Sequence, residues 1–168
     1  ERRGLFPEGV ASGDPNYNSV ILWTRRPPLE RPASKLTVEI AEDAAFRKVV
    51  GKSETTLSAE ADWTCRVLAG GLKPRTVYWY RFADEHGFGS RVVRTITAPA
   101  DKGEGPVNFA FVSCQSVNEG KLNGYRRMIF EDERKAAADQ LGFVLHLGDF
   151  IYEVVQYPDE VKTRYDRT

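Results

Sequence analysis

Phe111-Val112-Ser113-Cys114-Gln115 and Leu145-His146-Leu147-Gly148-Asp149-Phe150-Ile151-Tyr152-Glu153 decide how the second half of this chain folds. Each begins as an apolar run and breaks abruptly into polar residues. Val107-Asn108-Phe109-Ala110-Phe111-Val112 reads as one buried strand and Phe143-Val144-Leu145-His146-Leu147 as another, because near-continuous apolar runs mark strands covered on both faces. Between them, Leu122 to Ala138 reads as a helix. Tyr125, Met128 and Ile129 form its apolar stripe, and Glu131-Asp132-Glu133-Arg134-Lys135 forms its solvated face. Strand, helix and strand make the first βαβ unit of an α/β domain. One such unit cannot make a covered parallel sheet, so a complementary C-terminal fragment or a second chain is expected to supply the rest. Tyr157-Pro158-Asp159-Glu160-Val161-Lys162-Thr163-Arg164 reads as an exposed stretch open to proteolytic nicking.

Upstream, Pro99-Ala100-Asp101-Lys102-Gly103-Glu104-Gly105-Pro106 has the composition of an exposed linker. The expected division is therefore a first domain over 1–100 and the start of a second over 107–168. The first domain reads as all β from Gly9 to about Thr97, with short alternating runs separated by turn clusters. Ser19 to Thr24 is a strand closed by Pro27-Pro28, and Leu36 to Ile40 alternates as a half-buried strand does. In Trp63-Thr64-Cys65-Arg66-Val67-Leu68 the period of two turns Cys65 inward. Leu72 to Phe82 is a turn leading into an aromatic strand, with Tyr78 as the corner tyrosine whose hydroxyl bonds back to the backbone. These runs resemble a fibronectin type III or immunoglobulin-like β-sandwich.

Composition narrows the function classes. The 168 residues carry 24 Lys plus Arg against 24 Asp plus Glu, so no net field draws nucleic acid or an anionic membrane. No apolar stretch approaches the roughly 18–20 residues of a membrane span, and Glu1-Arg2-Arg3-Gly4 does not read as a retained signal peptide. Two cysteines, Cys65 and Cys114, form neither a CxxC motif nor a disulfide framework. A GxSxG elbow and a P-loop are both missing from the sequence, which leaves serine hydrolysis and nucleotide-driven motor chemistry without support.

Functional groups in open α/β sheets gather beyond the carboxyl ends of strands. If the two strands lie side by side, Cys114, Asp149 and Tyr152 converge and offer a thiolate, a carboxylate and a phenolate. Such a donor set suits a highly charged cation such as Fe(III). Gly148 lets the chain turn sharply off the strand and project Asp149, whose two oxygens could bridge two ions. Each residue also has a plainer reading: Cys114 as a small buried hydrophobe, Asp149 as a turn or cap residue, Tyr152 as packing. Residue chemistry alone leaves the choice open. His146 reads as a packed or supporting histidine rather than a ligand, and His86 as an exposed hairpin-turn residue; neither receives a role.

Leu147-Gly148-Asp149-Phe150-Ile151-Tyr152 resembles the GDxxY motif of purple acid phosphatases and other binuclear metallophosphoesterases. Together with Phe111-Val112-Ser113-Cys114-Gln115, Gly9-Val10-Ala11-Ser12-Gly13-Asp14-Pro15 and Val20-Ile21-Leu22-Trp23-Thr24-Arg25, it resembles the PhoD-like alkaline phosphatase family over nearly the whole chain. The resemblance implies a fibronectin III-like sandwich followed by the start of a four-layer α/β metallophosphoesterase domain. It also implies hydrolysis of phosphate mono- and diesters by a metal-bound hydroxide, with Fe(III) and Ca(II) as the ions and Mn, Zn or Mg as other occupants of the second position. By the same resemblance Cys114 and Tyr152 are iron ligands and Asp149 is the bridging carboxylate. Downstream Asp, Asn and His ligands, which the family also needs, are expected from outside these residues. The family is exported by the twin-arginine route, which implies a secreted or periplasmic protein. Two alternatives stand beside this reading. One is a calcium-dependent phospholipase D using the same site on phospholipid head groups, expected to show an apolar rim near Phe150, Val154 and Val155. The other is a non-catalytic sandwich that serves as a binding module, which metal content would separate from either enzyme.

Overall fold

The computed structural model describes residues 1–115, 123–150 and 152. The chain divides into two units, Glu1–Glu104 and Gly105–Thr168.

The first unit is an antiparallel β-sandwich. One sheet runs β1 (Val10–Gly13), β2 (Ser19–Arg25) and β5 (Thr64–Gly70) in the order β1-β2-β5. The other runs β3 (Lys35–Ala41), β4 (Val49–Thr56), β6 (Val77–Asp84) and β7 (Val93–Ile96) in the order β4-β3-β6-β7. This three-plus-four arrangement is that of a fibronectin III-like sandwich. Strict alternation builds it: every second residue of β2 and of β6 is buried, so Val20, Leu22 and Thr24 face Tyr78, Tyr80 and Phe82 across the core cluster. Leu22 and Leu36 are wholly buried, each worth about 1.5–3 kcal/mol of burial. Cys65 points into the same core, where desolvation pushes its thiol up from its ordinary value. Tyr78 makes the expected corner, its hydroxyl accepting the Lys73 N–H at 2.9 Å.

The edge strand β4 is mostly exposed and carries Lys52 and Glu54, charges that discourage pairing with another chain. Gly51 on that strand has a packing reason to be glycine. A Cβ there would come within 2.7 Å of Ile40 Cγ2.

One ion pair lies inside this unit. Arg26 and Asp84 have fully buried side chains and meet at 3.0 Å. Every nitrogen of the guanidinium donates: Nε and Nη2 to Asp84 Oδ2, Nη1 to the Pro27 carbonyl and Nη2 to the Arg31 carbonyl. Asp84 Oδ1 in turn accepts the N–H groups of His86 and Phe88, which closes the β6–β7 hairpin. The same hairpin is fastened by Glu85. Desolvation pushes the Glu85 carboxyl up, but hydrogen bonds from the Ser34 and Lys35 N–H groups outweigh it and hold the carboxyl at about 2. His86 differs from the expectation of a free turn residue: it is half-buried, with Nε2 at 3.0 Å from the Pro32 carbonyl, because the Pro27–Ser34 loop folds over the hairpin.

The second unit is built on β8 (Phe109–Val112) and β9 (Phe143–His146), paired in parallel with Val112 opposite His146. The crossover between them holds helix α1 (Asn123–Asp132) and a 3-10 turn at Ala137–Asp139. The helix therefore stops short of the expected Ala138, and Leu122 lies outside the described residues. Asp132 explains the stop. It is buried rather than part of a solvated face, and its Oδ1 accepts the Leu141 N–H, which turns the chain back toward β9. Of the expected apolar stripe, Tyr125 and Met128 are half-buried and Ile129 is exposed. The two strands are also more open than expected, with Phe111 at 69% exposure, because among the described residues a two-stranded sheet has little to cover its faces. Phe109 and Phe143 stack across the pair at 5.4 Å. Asn108 ties the ends together, its side chain donating to the Ala138 carbonyl and its carbonyl accepting the Gly142 N–H.

Removing one member of the buried pair should be costly, since it leaves an uncompensated charge in the core. Asp84→Asn is expected to destabilise the protein by about 3–5 kcal/mol in urea unfolding, and Arg26→Met with Asp84→Leu together by much less. A loss below about 1 kcal/mol for the single variant would contradict the role given to the pair.

Candidate metal centre

Parallel pairing places the last residues of β8 and β9 at the same edge of their sheet, and the pairing continues past both strands. Leu147 N–H donates to the Val112 carbonyl at 2.8 Å, Cys114 N–H to the Gly148 carbonyl at 3.0 Å, and Gln115 N–H to the Asp149 carbonyl at 2.9 Å. Those three bonds hold two turns side by side. Both turns use left-handed backbone: Cys114 has φ 56°, Asp149 φ 54° and Gly148 φ 133°. Asp tolerates that region better than most residues, whereas Cys has no such excuse. Strained backbone held by cross-strand bonds is a feature of functional turns.

The side chains of these turns meet. Cys114 Sγ donates to Asp149 Oδ2 at 3.3 Å, and the Tyr152 hydroxyl donates to the same oxygen at 3.0 Å. A thiol, a phenol and a carboxylate thus share one acceptor atom, with Oδ1 engaged by neither donor. All three residues are exposed. Donation toward Cys114, and next toward Asp149, pushes the Tyr152 hydroxyl well above its ordinary value. The physical cause is simple: both neighbours favour the protonated phenol, and ionising it would place a negative charge beside the Asp149 carboxylate. Two protons hold this trio together, and a cation is the species that could replace both and let all three donors ionise. The donor set therefore fits a metal ion.

Among the described residues no group of three or more His, Cys, Asp or Glu side chains gathers at one point. The phenol of Tyr152 is accordingly essential to any three-donor set here. Ile151 and Glu153 of the second strand-end motif lie outside the described residues, as do Val154, Val155 and the Tyr157–Arg164 stretch. Phe150 is 61% exposed. His146 lies three residues before Asp149 at the end of β9, half-buried, with its ring edge-to-face against Phe150 at 4.9 Å. Sequence reasoning brought the three donors to one place but had no signal for the left-handed backbone at Cys114 and Asp149, which no local propensity announces.

Comparison with known proteins gives a consistent picture. Residues 1–99 match the family described as PhoD-like phosphatase, N-terminal domain, and residues 109–168 match PhoD-like phosphatase. The chain is 39% identical to alkaline phosphatase D of Bacillus subtilis (strain 168) over 156 residues, which is 88% of this chain and 25% of that protein. The solved structure of PhoD aligns with a TM-score of 0.77 at 39% identity, covering 88% of this chain and 28% of that one. The chain thus spans about a quarter of the length of the curated relative it matches. No helix among the described residues is long and apolar enough to cross a membrane.

Gly148 offers a clean test of the turn. A Cβ there would meet nothing within 4 Å, so substitution costs only backbone strain. Gly148→Ala is expected to destabilise the folded protein by about 1–3 kcal/mol in chemical unfolding, and a cost near zero would mean that the turn does not need its positive φ.

Proposed function

The chain belongs to the PhoD-like phosphatase family, and on that premise we propose that the protein hydrolyses phosphate esters with a metal centre to which this chain contributes Cys114, Asp149 and Tyr152. One observation carries the proposal. A thiol and a phenol from two different strand ends converge on a single carboxylate oxygen, at 3.3 and 3.0 Å.

Cys114 and Tyr152 would hold an Fe(III) ion as thiolate and phenolate, since a phenol ionises near neutral pH only against a strongly Lewis-acidic ion. Asp149 would serve both that ion and a second one, with calcium as the occupant the family relationship favours. When bound, the ions supply the Lewis acidity that ionises a water and neutralises charge on the phosphoryl oxygens. The chain's own part is positional. Gly148 and the cross-strand bonds from Cys114 and Gln115 fix where Asp149 stands, so the carboxylate needs no rearrangement to bring its oxygens to bear. The partner is then a phosphate ester. Export from the cytoplasm is part of the same proposal and rests on the family relationship alone. The exposed Phe150 ring favours keeping a phospholipid head group among the substrates to be tried.

Asp149→Asn in the complete protein should cut hydrolysis of p-nitrophenyl phosphate and bis(p-nitrophenyl) phosphate by more than about 100-fold, beyond the loss typical of a merely supporting partner. Phosphatidylcholine vesicles assayed alongside decide whether a lipid ester is also cleaved. Retained activity in the variant would remove the bridging role, and no activity of the wild type on any phosphate ester would remove the enzyme reading.

A further inference from the structure

We infer that His146 is a positioning residue for the Gly148-Asp149 turn, acting through its Nδ1 atom. The inference rests on the metal-centre reading above but adds a residue to which neither the motif nor the donor set assigns a role.

The argument begins with the backbone groups at the end of β9. Leu147 N–H and the Gly148 carbonyl are both used in pairing with the β8 strand end, on Val112 and Cys114 respectively. Gly148 N–H makes no bond in that ladder. It donates instead to Nδ1 of His146, at 3.3 Å, two residues back in the same strand. An imidazole here does what an Asn or Asp side chain does in a tight turn, accepting a nearby N–H that would otherwise have no backbone partner.

That bond matters because of what Gly148 is. Glycine has no Cβ to confine it, and with φ at 133° it occupies a region open to wide variation. A turn built on glycine aims the next side chain only if something else holds the peptide. The next side chain is Asp149, the acceptor on which Cys114 and Tyr152 converge. Holding Gly148 N–H therefore helps hold the carboxylate. The ring is itself held, half-buried and edge-to-face against Phe150 at 4.9 Å. With Nδ1 accepting, the neutral ring carries its proton on Nε2. Nε2 is buried with no hydrogen-bond partner among the described residues, so the polar work of the ring among them passes through Nδ1.

Three substitutions in the complete protein separate the two ring nitrogens. His146→Asn places an amide oxygen where Nδ1 was, His146→Gln places its amide near Nε2, and His146→Leu keeps bulk but offers no acceptor. The account expects faster hydrogen exchange at Gly148 N–H, followed by mass spectrometry, in His146→Leu and His146→Gln, with protection restored in His146→Asn. In the iron-loaded protein it expects the same order in iron retention and in the phenolate-to-iron absorption band, with a 10–100-fold loss for His146→Leu and His146→Gln and recovery in His146→Asn. Equal behaviour of His146→Asn and His146→Gln in both readouts would overturn the positioning role, and this comparison stands even if His146→Leu fails to fold. Wild-type protein that takes up no iron would instead overturn the metal-centre reading, while the exchange measurement would still decide the role of His146 in the turn.

Discussion

Parallel register between β8 and β9 is the constraint on which the candidate site depends. Val112 lies opposite His146, and from that pairing the next residues of both strands are carried forward in step, until Cys114 N–H reaches the Gly148 carbonyl. A slip of one residue would turn one strand's side chains to the opposite face from its partner's and separate the sulfur from the carboxylate. No single attraction among Cys114, Asp149 and Tyr152 is strong enough to impose this arrangement, since all three are exposed and a solvent-exposed hydrogen bond contributes little. The backbone ladder does the placing. The side chains then meet because of where their strands end.

The sandwich unit obeys a different economy. Its sheets are positioned by alternating apolar side chains, yet its most demanding internal feature is polar: a wholly buried arginine and aspartate in which every guanidinium nitrogen and both carboxylate oxygens are hydrogen-bonded. Arg26 reaches two segments, the Pro27–Ser34 loop at two carbonyls and Asp84 at the end of β6, and Asp84 holds two amides of the hairpin that follows β6. A buried pair of this kind adds little net stability over an apolar pair of similar size, but it tolerates only one arrangement of the groups around it. It ties the Pro27–Ser34 loop to the β6–β7 hairpin, where Glu85 and His86 add further bonds to the same loop.

Much of this was legible in the amino-acid sequence, and what was not has physical reasons. Strand periodicity located β2, β3, β5 and β6 but not β1, β4 or β7, and the turn before Tyr78 announced its corner bond, because both depend on neighbours in sequence. The two strand-end motifs were legible for the same reason. Arg26 and Asp84 were not, since each reads as an ordinary surface charge and their meeting depends on tertiary structure. Asp132 was misread as part of a solvated charge run, because nothing in Glu131 to Lys135 tells which carboxylate will cap the returning chain. His146 was read as a packed or supporting residue, and its bond to Gly148 N–H depends on a backbone conformation that the sequence does not spell out.

The central claim is that the three donors at these strand ends form part of an iron site, and the most direct test is iron content with a visible absorption spectrum on the complete protein and its Tyr152→Phe variant. The account predicts stoichiometric iron in the wild type and a phenolate-to-iron charge-transfer band that disappears in the variant. A folded wild-type protein that takes up no iron and shows no such band would contradict it.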